Sequence, residues 1–568
     1  MDRVPDDTPP RRECPWPNEE RRSCIEACAE RCWACAGFMS RGSQLNRGES
    51  RQSVAPADTM FHTDRKATMN RREALRLMGA TAVVAPFGRL VAQEASGPGE
   101  QRTKDRLIGE YLGRWICLLP TKLGGGAHAY DMATGKSLAW ISYWNYGDDC
   151  PISHHLAAFP SPDPYKGFEF INSNQGGKNL LMWGIPTPVT EPGEGFKIYR
   201  VKYDGQQMGV VEDVSKTTGL GLGVHTTIAP DAESYAVADG QKDVLAVFDR
   251  ATSEVLAAYF FDWEGRDKAL KGTWVGGGTM TIKRIYPDPE TKKFDLEGTK
   301  GIKMDWEMPP GGELQVEEGK IPGARLANAV GCDGVVFDPR GRWAVASIRL
   351  LGLSVVLDRR NEYEPVAALH TPKGSQLHYD VLPAGEDTWR VAMDRVLSPA
   401  HEAGFSPSGE DYVAMNNLRQ NNVAVVDARD ADPRRWEIKT HIEHPMWSGR
   451  VPIPFHVAFN PDGTKMFVVI WDEKPRPSHL MIVDARTWRP ITLIKDIGPD
   501  VQPSAVTYDG KYVFTPFSGF QRLASGICVT DAVTNEHVGY LPSPGGHHDC
   551  VVVPRTIEEL RISRCTTI

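Results

Sequence analysis

One unit recurs along this chain: a polar lead residue, a short apolar run, a Pro/Asp/Gly turn, an aromatic strand and a hydrophobic strand ending in Asp. Repetition of that kind limits the fold more than any other feature of the sequence. His225 leads Thr226-Thr227-Ile228-Ala229-Pro230-Asp231, and its copy closes at Asp249. Asp333 leads Gly334-Val335-Val336-Phe337-Asp338-Pro339 and closes at Asp358. His401 precedes Phe405-Ser406-Pro407 and closes at Asp427; His456 precedes Phe459-Asn460-Pro461 and closes at Asp484; Gln502 precedes Tyr508-Asp509-Gly510 and closes at Asp531. Two histidine pairs complete the set, His154-His155 before Leu156-Ala157-Ala158-Phe159 and His547-His548 before Asp549-Cys550-Val551-Val552-Val553, which makes seven leads.

Short β-branched and aromatic runs that break at Pro/Asp/Gly and then resume read as antiparallel strands. Such a unit cannot bury its own apolar face, but units stacked radially share one core and line a channel with their innermost strands. The expected fold is therefore all-β, a seven-bladed β-propeller with long inserted loops, its lead residues converging on the axis. The main insertions expected are 176–198 and 262–325, capping one face. The lead stands five positions before Pro at His225 and His456 but six at Asp333 and His401. A shift of one residue reverses which face a side chain takes, so a bulge must absorb the difference, at a place the sequence alone does not fix.

Met69-Asn70-Arg71-Arg72 followed by a modest apolar stretch from Leu77 to Phe87 has the form of a twin-arginine export signal. We therefore divide the chain into a non-native or disordered extension (1–68), a signal peptide (69–92) and a propeller domain (93–568), and expect a periplasmic protein. Cys24, Cys28, Cys32 and Cys35 fall in the extension, at spacings that match no paired zinc template. Residues 1–92 hold 15 of the 65 Lys and Arg and 12 of the 73 Asp and Glu, which leaves the rest of the chain near −11. That balance argues against nucleic acid and anionic membrane surfaces as partners and suits a basic redox partner. Six cysteines remain in the exported part, at spacings that do not pair them.

A channel lined by imidazoles from separate blades suits a late first-row metal, with affinity for divalent ions peaking at copper. Seven of the 15 histidines occupy leads, more than one ion can use, so more than one metal is expected. The metal ligands expected are His154, His155, His225, Asp333, His401, His456 and His547. For each histidine pair, the sequence does not decide which member ligates.

The segment Cys150-Pro151-Ile152-Ser153-His154-His155-Leu156, the single-histidine blades and the terminal His547-His548-Asp549 resemble the copper propeller of nitrous oxide reductases. No cupredoxin-type CxxxCxxxxxxxHxxM site follows the last unit, and Asp333 stands at one histidine lead. The chain is more similar, across residues 100–555, to the thiocyanate dehydrogenase family. That resemblance implies copper, three ions in all, and oxidation of thiocyanate with water to cyanate and elemental sulfur, the two electrons passing to an external acceptor such as a cytochrome c. It also implies catalytic roles for Lys122 and Glu307, as anion-orienting group and general base, and leaves room for a homodimer. The alternatives are a reductase of nitrous-oxide type and a non-catalytic copper-binding propeller.

Overall fold

The computed structural model describes residues 115–554, apart from 122–124, 132–135, 147–152, 160, 162–165, 175–196, 219, 221–222, 241–242, 264–277, 295–331, 350, 395–397, 399, 408–410, 419, 445–452, 472–476, 500, 508, 518–524 and 543–547. The expected extension (1–68) and signal peptide (69–92) lie outside the described residues, as do Lys122, Glu307 and His547.

Among the described residues the strands form seven hydrogen-bonded antiparallel sheets, and the protein is an all-β propeller with only one α-helix, Val214–Thr218, and a few 3-10 turns. The innermost strands, in chain order, are Ser153–Ala158, Gly223–Ile228, Cys332–Phe337, Ala400–Phe405, Ile453–Phe459, Ala505–Val506 and Val551–Pro554. Each packs on the next and the last packs on the first, so the sheets close a ring. Blade construction departs from seven like units. Six blades begin with their own innermost strand, whereas the seventh sheet joins three strands from one end of the ring (115–142) to the single strand Val551–Pro554 from the other.

The closing Asp of the repeat is a turn former. Asp249 Oδ1 accepts the Thr252 N–H at 2.7 Å, Asp484 Oδ1 that of Thr487 at 3.0 Å, and Asp531 Oδ1 that of Thr534 at 2.9 Å. Each side chain thus nucleates the turn into the outer strand. Four positions on, Ser253, Trp488 and Asn535 take left-handed φ of 57°, 57° and 64°, and their N–H groups bond back to the Asp carbonyls. The 262–325 segment, expected as a loop, contains the strand Gly278–Arg284, the fifth strand of its sheet counted from the axis, which also pairs with Thr388–Met393 from the next unit. Alternate residues of the strands fill apolar layers between blades, such as Ala238, Leu245, Val247 and Tyr259 against Val335, Ala346 and Val355.

Four Cα pairs close the ring, from Trp115↔Pro554 to Leu118↔Val551. Val551, Val552 and Val553 are all buried, and at roughly 1.5–3 kcal/mol each their burial is comparable to the whole stability of an ordinary domain. A chain ending at Cys550 is expected to melt roughly 5–10 °C below one ending at Pro554. Superimposable calorimetric transitions for the two chains would contradict the closure.

Candidate metal centre

The bulge that the lead spacing demands is present, and it recurs at the axial end of five innermost strands. Register shifts fall between Ser153 and Leu156, Gly223 and His225, Cys332 and Gly334, Ala400 and Ala403, and Pro454 and His456. In a regular strand His154 and His155, or His401 and Glu402, would face opposite ways. At a bulge two residues oppose one, and the strand bends. Both adjacent residues are thereby buried at the centre. One device holds two of the bulges: Asn172 Nδ2 donates to the His155 carbonyl at 2.7 Å, and Asn416 Nδ2 donates to the Glu402 carbonyl at 3.2 Å. Asn172 is itself fixed by the Ser153 and Tyr143 hydroxyls at 2.7 and 2.6 Å.

His155, His225, Glu402 and His548 converge, with one ligand atom from each lying within 4.8 Å of all the others, and all four are buried. The Glu402 carboxylate is the hub. His225 Nε2 lies 3.1 Å from Oε1, His155 Nε2 4.0 Å from Oε1, and His456 Nε2 3.6 Å from Oε2. Beside this group, Asp333 Oδ2 is 3.5 Å from His401 Nε2, and Asp333 Oδ1 takes an Arg349 Nη1 contact at 3.3 Å. His154 stacks on His548 with ring centroids 3.6 Å apart.

Hydrogen bonds around the rings set where the protons sit. His155 Nδ1 donates to Asp549 Oδ2 at 3.2 Å; Asp549 is held in turn by the Leu156 and Cys550 N–H groups. His401 Nδ1 donates to the Phe455 carbonyl at 2.6 Å. Both rings thus turn an Nε2 lone pair inward, as metal-binding histidines do when a second partner fixes the tautomer. His456 differs. Its Nδ1 accepts the Ser504 N–H at 3.1 Å, so the neutral ring carries its proton on Nε2 and points a donor toward Glu402, where a ligand was expected.

Both Glu402 oxygens, His155 Nε2, His225 Nδ1 and Asp333 Oδ2 are buried without a hydrogen-bond partner. Buried polar groups are normally satisfied, and a carboxylate left alone in a dry site is costly. The electrostatics follow. Burial, then the neighbouring Asp333 and Asp549, drives the Glu402 carboxyl well above the usual range, and burial raises Asp333 against a partial offset from Arg349. Burial, with the neighbouring imidazoles adding to it, holds His225 and His456 well below theirs. Lone pairs, neutral imidazoles and a carboxylate that no hydrogen bond reaches fit a cation. Three imidazoles and one carboxylate form a donor set for zinc, copper or iron.

Of the expected ligands, the structure brings together His155 and His225 around Glu402, with His456 on its edge, and Asp333 with His401. His154 lies behind His155, stacked on His548. From the terminal pair the cluster contains His548; His547 is outside the described residues. Glu402, Asp549 and Arg349 were not expected. Each adjoins or faces a lead, but strand alternation places Glu402 on the opposite face to His401 unless the bulge is known. Gln502, at the sixth lead, is buried with its N–H on the Pro516 carbonyl at 2.7 Å.

No family model and no curated protein matches the sequence. Among solved structures the chain is similar to a periplasmic gluconolactonase of Pseudomonas aeruginosa at 12% identity, covering 78% of this chain and 99% of that one, with a TM-score of 0.44. A putative 6-phosphogluconolactonase of Bacteroides fragilis matches at 12% identity over 78% and 98%, TM-score 0.43. The dihydro-heme d1 dehydrogenase NirN matches at 12% over 79% and 76%, TM-score 0.42. Among the described residues no helix is long and apolar enough to cross a membrane.

Two predictions follow from the cluster. Glu402→Gln keeps the shape but removes the charge, and should weaken metal binding by about 10²-fold or more. A carboxyl whose folded pKa is raised contributes stability that is full below the ordinary carboxylate range and is lost as pH rises from that range up through the raised folded pKa. The metal-free variant should therefore melt no lower than the metal-free parent at pH 8, read by scanning calorimetry beside metal analysis; unchanged metal content would remove Glu402 from the site. Binding should also displace protons, because the ligands act as carboxylate and neutral imidazole. Titration calorimetry in buffers of different ionisation enthalpy should show proton release and an affinity that rises with pH, and a pH-independent affinity would contradict the assignment.

Proposed function

We propose that this chain is a copper-dependent oxidoreductase of the thiocyanate dehydrogenase kind. The observation that carries the reading is the group His155, His225, Glu402 and His548, whose nitrogen and oxygen ligand atoms meet inside the ring. Support for thiocyanate as substrate is the sequence resemblance, in particular Lys122 and Glu307. The remaining parts of the reading are a propeller of seven blades, counting the closing sheet as one, and three copper ions, the Asp333–His401 pair serving a further one. Added to these are export through the signal at 69–92, a periplasmic location, dispensable residues 1–68, and a cytochrome c as electron acceptor.

Copper held by this group supplies an electron sink and a positive charge that attracts a small anion and acidifies water. The residues of the chain do the rest. Asp549 fixes the His155 ring, and the Phe455 carbonyl fixes His401, so neither imidazole must reorient when loaded. Arg349 offsets one carboxylate charge. Lys122 pairs with the thiocyanate anion, and Glu307 takes a proton from the water whose oxygen bonds to the thiocyanate carbon as the C–S bond breaks. The balance is SCN⁻ + H₂O giving OCN⁻, sulfur, two protons and two electrons.

A non-catalytic copper-holding propeller is the second reading, favoured by the burial of every member of the group. Turnover separates the two. Copper-loaded protein should produce one cyanate for every two molecules of one-electron cytochrome c reduced, and Glu307→Gln should keep its copper yet lose turnover by about 10²–10⁴-fold. Copper-loaded protein that yields no cyanate would leave only the binding function.

A further inference from the structure

The strand that closes the ring also carries the site. His548 and Asp549 immediately precede Val551–Pro554, and one donates a ring to the cluster while the other orients His155. Their position depends on a latch of four Cα pairs to the strand Trp115–Thr121. At that latch two thiols meet. Cys117 stands opposite Val552, and Cys550, two residues before it, shares its face of the strand by alternation. Both cysteines are buried in one apolar cluster with Leu119, Val552 and Phe514, the Cys550 Sγ lying 3.5 Å from the Phe514 carbonyl oxygen.

We propose that Cys117 and Cys550 form a disulfide that locks the two ends of the propeller and thereby fixes His548 and Asp549 in the metal centre. The pairing is diagonal across an antiparallel pair, and because Cys550 lies just outside the hydrogen-bonded strand, bringing the Cβ atoms to bonding separation shifts no ladder hydrogen bond. The two remaining described cysteines are otherwise placed: Cys528 Sγ lies 3.2 Å from His537 Nδ1, and Cys332 packs in the apolar layer of another blade pair. Formation removes two protons and two electrons from the thiols, taken by exchange with a disulfide such as oxidised glutathione. The loop so closed spans nearly the whole ring, the case in which a cross-link restricts the unfolded chain most.

The test uses the full-length protein equilibrated in vitro with oxidised and reduced glutathione, so that the cross-link itself is read without dependence on export or on copper. After denaturation and alkylation without reductant, peptide mapping should find Cys117 linked to Cys550, with Cys332 and Cys528 alkylated. Reduction should lower the melting temperature by roughly 5 °C or more and speed the loss of bound metal to a chelator. Cys117→Ser and Cys550→Ser should each abolish that response to reductant, while Cys528→Ser should keep it. Alkylation of both Cys117 and Cys550 in the oxidised sample, or their linkage to any other cysteine, would overturn the proposal.

Discussion

A register shift at the axial end of an innermost strand is the constraint from which the centre of this molecule follows. Closing sheets into a ring brings many strand starts to one place, and regular alternation would let each strand send only every other side chain inward. By inserting an extra residue, the bulges at His154-His155 and His401-Glu402 commit adjacent positions to the same buried region. Asn172 and Asn416 then hold the distorted carbonyls. The ring is dense enough in imidazole and carboxylate to hold a metal because its strands are locally irregular.

That density has an electrostatic cost the fold leaves unmet. Arg349 answers Asp333, but the donor nearest Glu402 comes from rings that burial keeps neutral. The outer contacts are, by contrast, made at three of the rings: Asp549 uses both oxygens and holds His155, and the Phe455 carbonyl and Ser504 N–H settle His401 and His456. Satisfied outer partners around unsatisfied inner atoms are the pattern of a site built to receive a cation. His401 turns a lone pair inward and His456 a proton, and the two stand at different places relative to the bulge, six and five residues before the turn Pro.

The repeat was legible because its signals are local. Pro/Asp/Gly turns and the closing Asp residues act through their own backbone, as Asp249, Asp484 and Asp531 show, so reading them requires no tertiary knowledge. The meeting of His155, His225, Asp333, His401 and His456 followed from equivalence of position. Glu402 was hidden because parity assigns it to the opposite face from His401, and spacing told only that some bulge was needed. Asp549 was hidden because its partner, His155, is 394 positions away in sequence, and Arg349 because it follows the end of the strand next to Asp333 and stands at no lead. The strand Gly278–Arg284 was taken for loop because Gly276-Gly277-Gly278 and the charged residues after it read as irregular, whereas pairing on both edges makes it a strand.

The central claim is that the buried carboxylate of Glu402 and the imidazoles around it hold a metal ion. Anomalous diffraction from crystals of the protein purified with copper, recorded on both sides of the copper and zinc edges, tests it most directly. The account predicts a copper-specific peak at bonding distance from a Glu402 oxygen and from nitrogens of His155, His225 and His548. A map with no anomalous peak there, and with Glu402 hydrogen-bonded to His225 or His456 in a closed polar cluster, would contradict it.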